Sequence, residues 1–287
     1  PSRLNPHTFY ALPQSPQLFK QILMIAGIDK YFQVVRCFRD EDLRSDRQPE
    51  FTQIDFEMSF VNEEDVISVT EKLIAKIFEY CGIKVEIPFK RISYEEAISK
   101  YGTDRPDLRY GLEIVNVTEV FKNTQFKIFQ NVILSGGQIN VIVVPNGANF
   151  SRQHIDNYIE FIKSCGGQGL AWMKYVEQKF ESNIVKFFTK EELEMLVKKL
   201  DLKNNEIIFF SAGEWKKSCE LLGILRQKLA KDLGLIKNEE YKFIWVVDFP
   251  LFEFSEEENR IVSVHHPFTA PKENEIEILD KSPLKIK

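Results

Sequence analysis

YFQVVRCFRDEDLRSDRQPEFTQIDFEMSF, residues 31–60, holds two alternating runs separated by a loop crowded with Arg, Asp and Glu. Alternation with a period of two predicts a pair of strands joined as a hairpin. In the second run Phe51, Gln53, Asp55, Glu57 and Ser59 share one face, and Thr52, Ile54, Phe56, Met58 and Phe60 share the other. The even face is the expected core face. The odd face lines up an amide and a carboxylate for which a purely structural strand has no use. In the first run Gln33, Val35, Cys37 and Arg39 form the matching series, so one register sets Arg39 on the side of Asp55. Residues 40–50 taken alone read as a solvated tip, because surface Arg–Asp neighbours contribute little. An Arg, an aromatic ring, an amide and a carboxylate on one rigid face suit a zwitterionic ligand together with a phosphate.

Upstream, FYALPQSPQLFKQILM spans residues 9–24. Ser15 as cap and Pro16 at the first helical position predict a helix start. Leu18, Phe19, Ile22, Leu23 and Ala26 follow at helical spacing, and Gly27 is the expected stop. Gln17 and Lys20 lie three apart, hence on one helix face. Downstream, residues 62–81 read as an amphipathic helix through Val66, Val69, Leu73, Ile77 and Phe78. A short helix is expected over 93–100, and RPDLRYG, 105–111, is a turn-rich exit.

Over residues 112–240 the pattern changes. QINVIVV, LAWMKYV and EIIFFSA read as strands alternating with helices that start near Ser151, Thr189 and Glu214. Thr189 and Glu192 form a capping-box pattern, and the helix over 214–233 should stop at Gly234. Asn146-Gly147 and the glycine pairs at 136 and 166 mark turns. No acid–base constellation appears in this block, which reads as a separate, non-catalytic α/β module. KFIWVVDFPLFEF, 242–254, then predicts one long strand returning to the first domain. Ile261, Ser263 and His265 alternate with Val262, Val264 and His266 into VHHPFTAPK, 264–272. Adjacent histidines on a strand point to opposite faces, so at most one can meet a given ligand.

The 287 residues suffice for two domains, and 44% are apolar. No run reaches the roughly 18 apolar residues of a membrane span. Cys37, Cys81, Cys165 and Cys219 are far apart, which predicts free thiols in a reducing cytosol and no zinc site. A net charge of −5 gives no general nucleic-acid footprint. Any RNA contact must be local, and Arg44 and Arg47 in the hairpin loop are the candidates.

FRDEDLRSDRQPEFTQID, 38–55, closely resembles motif 2 of the class II aminoacyl-tRNA synthetases, in the form found in bacterial-type aspartyl-tRNA synthetases. FYALPQSPQLFKQILM resembles that family's aspartate-binding segment, and VHHPFTAPK the segment before its third motif. The three matches fall in order across nearly the whole chain. The resemblance implies an α+β fold: part of the class II antiparallel sheet with its helices over 1–111 and 241–287, and an inserted mixed α/β GAD domain over 112–240. It implies aspartate activation by ATP, then transfer of the aspartyl group to the 3′ end of tRNA.

By the same resemblance Arg39 bridges the substrate carboxylate and the α-phosphate as the catalytic residue. Ser15, Gln17 and Lys20 hold the aspartate side chain, with one of His265 and His266 nearby, and Gln53 and Asp55 engage its ammonium. Asp40, Glu41, Gln48 and Phe51 join Arg39 at ATP, with Phe51 on the adenine. The substrates implied are L-aspartate, ATP with Mg2+ and tRNA(Asp), in a cytoplasmic enzyme that is a homodimer at full length and has no membrane partner. The metal ligands are not identifiable. The chain opens Pro1-Ser2-Arg3 and stops at Lys287, without the family's anticodon-binding barrel, motif 1 or motif 3. It therefore reads as an internal piece, expected to be inactive alone. The competing readings are a non-catalytic RNA- or protein-binding module built on the insertion, a type also found in a tRNA-dependent amidotransferase subunit, and a synthetase paralogue adenylating another acid. The hairpin and helix outside the insertion favour the ligase.

Overall fold

The computed structural model describes residues 5–9, 13–39, 47–237, 239–255, 257–266 and 269–287. The chain divides into two compact units, Pro1–Pro88 and Phe89–Lys287, of mixed α/β structure.

In the first unit β1 (Lys30–Phe38) and β2 (Glu50–Met58) pair antiparallel, with Gln33 opposite Asp55, Val35 opposite Gln53 and Cys37 opposite Phe51. Directly opposed residues share a face, so the odd series of both strands lies on one side. Helix α1 (Gln17–Ile25) precedes the hairpin. Its start differs from expectation: Pro16 occupies the cap position and no side chain caps the helix, so Ser15 is not the cap. Its end follows the sequence. Gly27 has φ +85°, its N–H reaches the Met24 carbonyl and that of Ile28 reaches Leu23, which is a Schellman closure. Helix α2 (Glu63–Tyr80) is opened by a reciprocal capping box between Asn62 and Asp65.

The hairpin faces exchange the expected roles. Phe32, Val34 and Ile54 on the even face are 76%, 62% and 52% exposed, whereas Cys37 and Asp55 on the odd face are buried. The reason is where α1 docks. Lys20 and Met24 reach the odd-numbered side chains Asp55, Glu57 and Ser59, so the helix covers the polar face.

The second unit is built on an antiparallel sheet in the order β4-β5-β8-β6-β7. Its strands are β4 (Ile114–Asn116), β5 (Gln138–Val144), β6 (Ala171–Val176), β7 (Lys179–Glu181) and β8 (Glu206–Gly213). QINVIVV is buried along nearly its whole length because helices cover both faces. On one face Ile142, Val144, Ile207 and Phe209 pack with Ile155 and Ile162 of α5 (Arg152–Ser164) and Leu222 and Leu225 of α7 (Trp215–Asp232). On the other, Ile139, Val141, Ile208 and Phe210 pack with Phe129 of α4 (Lys127–Leu134) and Leu196 of α6 (Lys190–Leu200). Each such side chain contributes about 1.5–3 kcal/mol by leaving water. Helix α3 (Tyr94–Tyr101), started by Ser93, crosses α7 where Gly102 meets Gly223. A Cβ on Gly223 would lie 2.6 Å from the Gly102 carbonyl oxygen, so the crossing admits only glycine.

The run over 242–254 is two strands, not one. β9 (Ile244–Val247) pairs in parallel with β3 (Lys90–Ser93), and β10 (Phe252–Ser255) pairs with β11 (Arg260–Ser263). Asp248 takes φ +58° and Pro250 supplies no N–H, and together they break the strand. β11 ends at Ser263, so His265 and His266 lie in the bend beyond it and strand alternation does not govern them.

Tyr158 of α5 gives this unit an alkaline sensitivity. Burial, then the charge of Asp232 and a hydrogen bond to it, push its phenol up to about 12. A folded value above the unfolded one means full stability below about pH 10, lost as pH rises from there through 12, by about 2–3 kcal/mol. Urea midpoints at pH 8 and pH 11.5 should show that loss on top of the share of Cys219, whose buried thiol is pushed up to about 11, and Tyr158→Phe should remove the Tyr158 share alone. The unit reports on itself, because Trp172, Trp215 and Trp245, all three tryptophans, lie in it.

Candidate functional site

The odd face of the hairpin carries a charged cluster at one end. Lys20 Nζ lies 3.1 Å from Asp55 Oδ1 and 3.1 Å from Glu57 Oε2. The Lys20 and Asp55 side chains are only 12% and 10% exposed. Burial pulls the Lys20 ammonium down, but the hydrogen bonds to Glu57 and Asp55 outweigh it and the group is held above its ordinary value. One lysine thus serves two carboxylates, and the trio carries a net charge of about −1 at neutral pH. Asp55 Oδ2 is buried and accepts no hydrogen bond among the described residues. An orphaned carboxylate oxygen of this kind costs about 1–3 kcal/mol or more until a donor reaches it. The cluster is built to receive a cation.

Tyr31 stands opposite Glu57 and donates its hydroxyl to Gln33 Oε1 at 2.7 Å. Loss of solvation, then the charge of Asp55, raises its phenol. Between the two ends Cys37 Sγ donates to Gln53 Oε1 at 3.5 Å, which orients that amide.

At the other end the Arg39 guanidinium carbon sits 5.1 Å from the centre of the Phe51 ring. Arg39 Nε donates to the Gln14 carbonyl at 3.4 Å, and the Arg39 backbone N–H to Pro49 O at 2.8 Å. A cation over an aromatic face is worth about 0.5–1 kcal/mol at an exposed site, and it fixes the plane of the fork. Phe51 and Asp55 are four residues apart along one strand face, about 13 Å at 3.3 Å per residue. The face therefore suits an elongated ligand: ammonium at the Asp55 end, anionic group near Arg39, flat ring toward Phe51.

The structure brings Lys20 to Asp55 at the cluster, holds Gln53 between the two ends on the same face, and joins Arg39 to Phe51. Gln17 is exposed at the first turn of α1 and Ser15 is half-buried just before it. Arg47 and Gln48 are exposed at the return of the loop, and Asp40, Glu41 and Arg44 lie outside the described residues. His265 and His266 belong to the second unit, where the His265 ring meets Phe249 edge-on at 5.5 Å between centres. Two members of the cluster were missed from sequence, Glu57 and Tyr31. Parity already placed Glu57 on the Asp55 face, and the register adds Tyr31 directly across from it.

The family model described as tRNA synthetases class II (D, K and N) matches residues 1–285. The chain belongs to the class II tRNA synthetases. Within this family it is 53% identical over 287 residues to the aspartate–tRNA(Asp/Asn) ligase of Hydrogenobaculum sp. (strain Y04AAS1), covering 98% of this chain and 48% of that protein. It is 55% identical over 277 residues to the protein of that name from Aquifex aeolicus (strain VF5), at 96% and 46% coverage. The same name belongs to a Persephonella marina (strain DSM 14350 / EX-H1) protein, 54% identical over 284 residues at 98% and 47%. The chain spans about half the length of the curated relatives it matches. Among the described residues of this synthetase chain no helix is long and apolar enough to cross a membrane. Nor do three His, Cys, Asp or Glu side chains among them gather as a metal site.

Proposed function

We propose that the hairpin face is the aspartate- and ATP-handling surface of an aspartate–tRNA ligase. The observation that carries this reading is the Lys20–Asp55–Glu57 cluster with its orphaned Asp55 Oδ2. A net negative cluster takes the substrate ammonium on Asp55 Oδ2, with Gln53 beside it. The aspartate side-chain carboxylate then competes with Glu57 for Lys20, next to Gln17 and Ser15. An uncharged asparagine side chain cannot offset that exchange, and specificity follows from the difference.

In the reaction an α-carboxylate oxygen attacks the α-phosphorus of ATP, the bond to the β-phosphate bridge breaks and pyrophosphate leaves. Both reactants are anionic, so catalysis rests on positioning and charge stabilisation, with no protein nucleophile. Arg39 offers a planar, permanently charged fork to the carboxylate and the phosphate at once. Phe51 supplies the ring on which the adenine stacks, and Gln48, Asp40 and Glu41 join the ATP side. The 3′ end of tRNA then takes the aspartyl group and releases AMP, with Arg44 and Arg47 at the acceptor strand. Magnesium comes with ATP in this reading. Asp55 and Glu57 do not fit its ligand set while both hold Lys20.

The wider reading assigns residues 1–111 and 241–287 to the catalytic domain, with one of His265 and His266 at the substrate, and 112–240 to a GAD-type insertion. It makes the longer protein a cytoplasmic homodimer that charges tRNA(Asp); the three relatives' names extend to tRNA(Asn).

Lys20→Ala tests the assignment. In a chain extended to the relatives' length, calorimetric affinity for L-aspartate should fall roughly 10- to 100-fold, as for loss of a charged hydrogen bond. Affinity for ATP should stay within about twofold, since Lys20 is at the opposite end of the face from Phe51. Unchanged aspartate affinity would refute the role of Lys20.

A further inference from the structure

The second unit holds a groove unrelated to the hairpin face, made by a mismatch in strand length. β8 pairs with β5 as far as Gly213, opposite Gln138, but β6 begins only at Ala171, opposite Phe210. Ser211, Ala212 and Gly213 therefore have a strand on one side alone, about 10 Å of open edge. Where β6 would continue, the glycine-rich loop 166–170 swings away. Among the described residues no main-chain hydrogen bond joins that loop to 211–213. The gap is a cavity of about 630 Å³, floored by Phe129 and Val132 of α4 and bordered by Lys217 of α7. A side chain built at Gly169 or Gly213 would meet nothing within 4 Å, so the space over both is open. On the exposed side of α4, Ile128 is 61% exposed.

We propose that this groove takes up an extended apolar segment of a partner protein as a short added strand beside Ser211–Gly213, with an acidic side chain of that segment on Lys217. An open edge supplies main-chain hydrogen bonds in register, and the apolar floor takes alternate side chains, which together make the strand-addition mode of peptide recognition. Charge fixes the acidic requirement. Lys217 has no ion pair among the described residues, while the Lys216 and Lys217 N–H groups at the start of α7 are already taken by the Glu214 carboxylate. A nucleic acid fits less well: Phe126, Phe129 and Phe210 are at least nine-tenths buried and pack against one another, leaving no open ring for a base to stack on. One lysine is also too little for a phosphate backbone.

Selection from a displayed random decapeptide library on the intact chain tests this. The enriched peptides, synthesised with a fluorescein label and read by polarisation, should alternate apolar residues and carry an Asp or Glu. Gly213→Leu fills the groove and Lys217→Glu reverses its charge; each should weaken binding about tenfold or more. Bound peptide should slow amide exchange at 211–213. Lys217 is on the surface, so its variant reads the outcome even where Gly213→Leu fails to fold. The proposal fails if nothing is enriched, or if the peptides bind both variants as tightly as the parent. It fails equally if exchange slows elsewhere, if single-stranded oligoadenylate displaces the peptides, or if the groove proves to be filled by a second copy of the chain in sedimentation.

Discussion

Arg226→Met should lower the stability of the second unit by about 3–5 kcal/mol, the scale of leaving three buried carbonyls without their donor at about 1–3 kcal/mol each. Arg226 is 1% exposed on α7, with no carboxylate against its fork among the described residues. Instead Nε donates to the Gly111 carbonyl at 3.2 Å, and Nη2 to those of Asp107 and Tyr110 at 2.9 and 3.0 Å. The Tyr110 and Tyr101 rings lie 4.2 and 5.0 Å from its guanidinium carbon. Burial pulls its pKa down, yet arginine stays charged, because that ordinary value is so high. The residue fastens the turn-rich segment 105–111 to α7, and an Asp107–Arg109 pair at 2.6 Å holds the same turn from outside. Methionine fills the volume but abandons three carbonyls, each left to lose its donor in a dry site. Lysine can keep the charge and not the fork, so Arg226→Lys should fall between the two. Urea unfolding followed by tryptophan fluorescence measures this in the unit concerned. A loss under about 1 kcal/mol for Arg226→Met would mean that the three carbonyls find water, and that the buried arginine is not the fastener.

Arg39→Ala should reduce aspartate-dependent pyrophosphate exchange by about a thousandfold in a chain of the relatives' length, the scale of removing one preorganised donor from a developing charge. The expectation rests on position. Arg39 stands at the end of β1 with its fork over Phe51 and its Nε tied to Gln14 O, so its plane is set before any ligand arrives. The loss should lie mainly in kcat, because the interaction strengthens as charge builds on the phosphate. Arg39→Lys should recover only part of it, since a point charge cannot span carboxylate and phosphate together. An Arg39→Ala enzyme with kcat near the parent value would remove Arg39 from the chemistry.

The hairpin was legible because its chemistry and its geometry share one period. Parity alone sorted Gln53, Asp55 and Glu57 onto one side, and the observed register, with Gln33 opposite Asp55, is one that sets the series of Arg39 on that side too. Helix ends written in side chains were legible too: Ser151 and Thr189 cap α5 and α6, Glu214 caps α7, and Gly27 closes α1. Where the signal is not in side chains, the reading failed. Helix α4 has no side-chain cap at Phe126, and its short run KIFQNVIL was not assigned from sequence. The break at Asp248 is a backbone choice inside an apolar stretch. The exposed Phe32, Val34 and Ile54 show that hydrophobicity names a face without naming what lies on it, since an ion pair from Lys20 brought α1 to the other side. The orphaned Asp55 Oδ2 is invisible in sequence, because it depends on which oxygen Lys20 takes.

The most direct test of the central claim is amino-acid-dependent exchange of labelled pyrophosphate into ATP by a chain extended to the relatives' length. The account predicts exchange with L-aspartate that exceeds exchange with L-asparagine by at least about a hundredfold. Absence of exchange with aspartate, or equal exchange with asparagine, would contradict the assignment of the Lys20–Asp55–Glu57 face to aspartate activation.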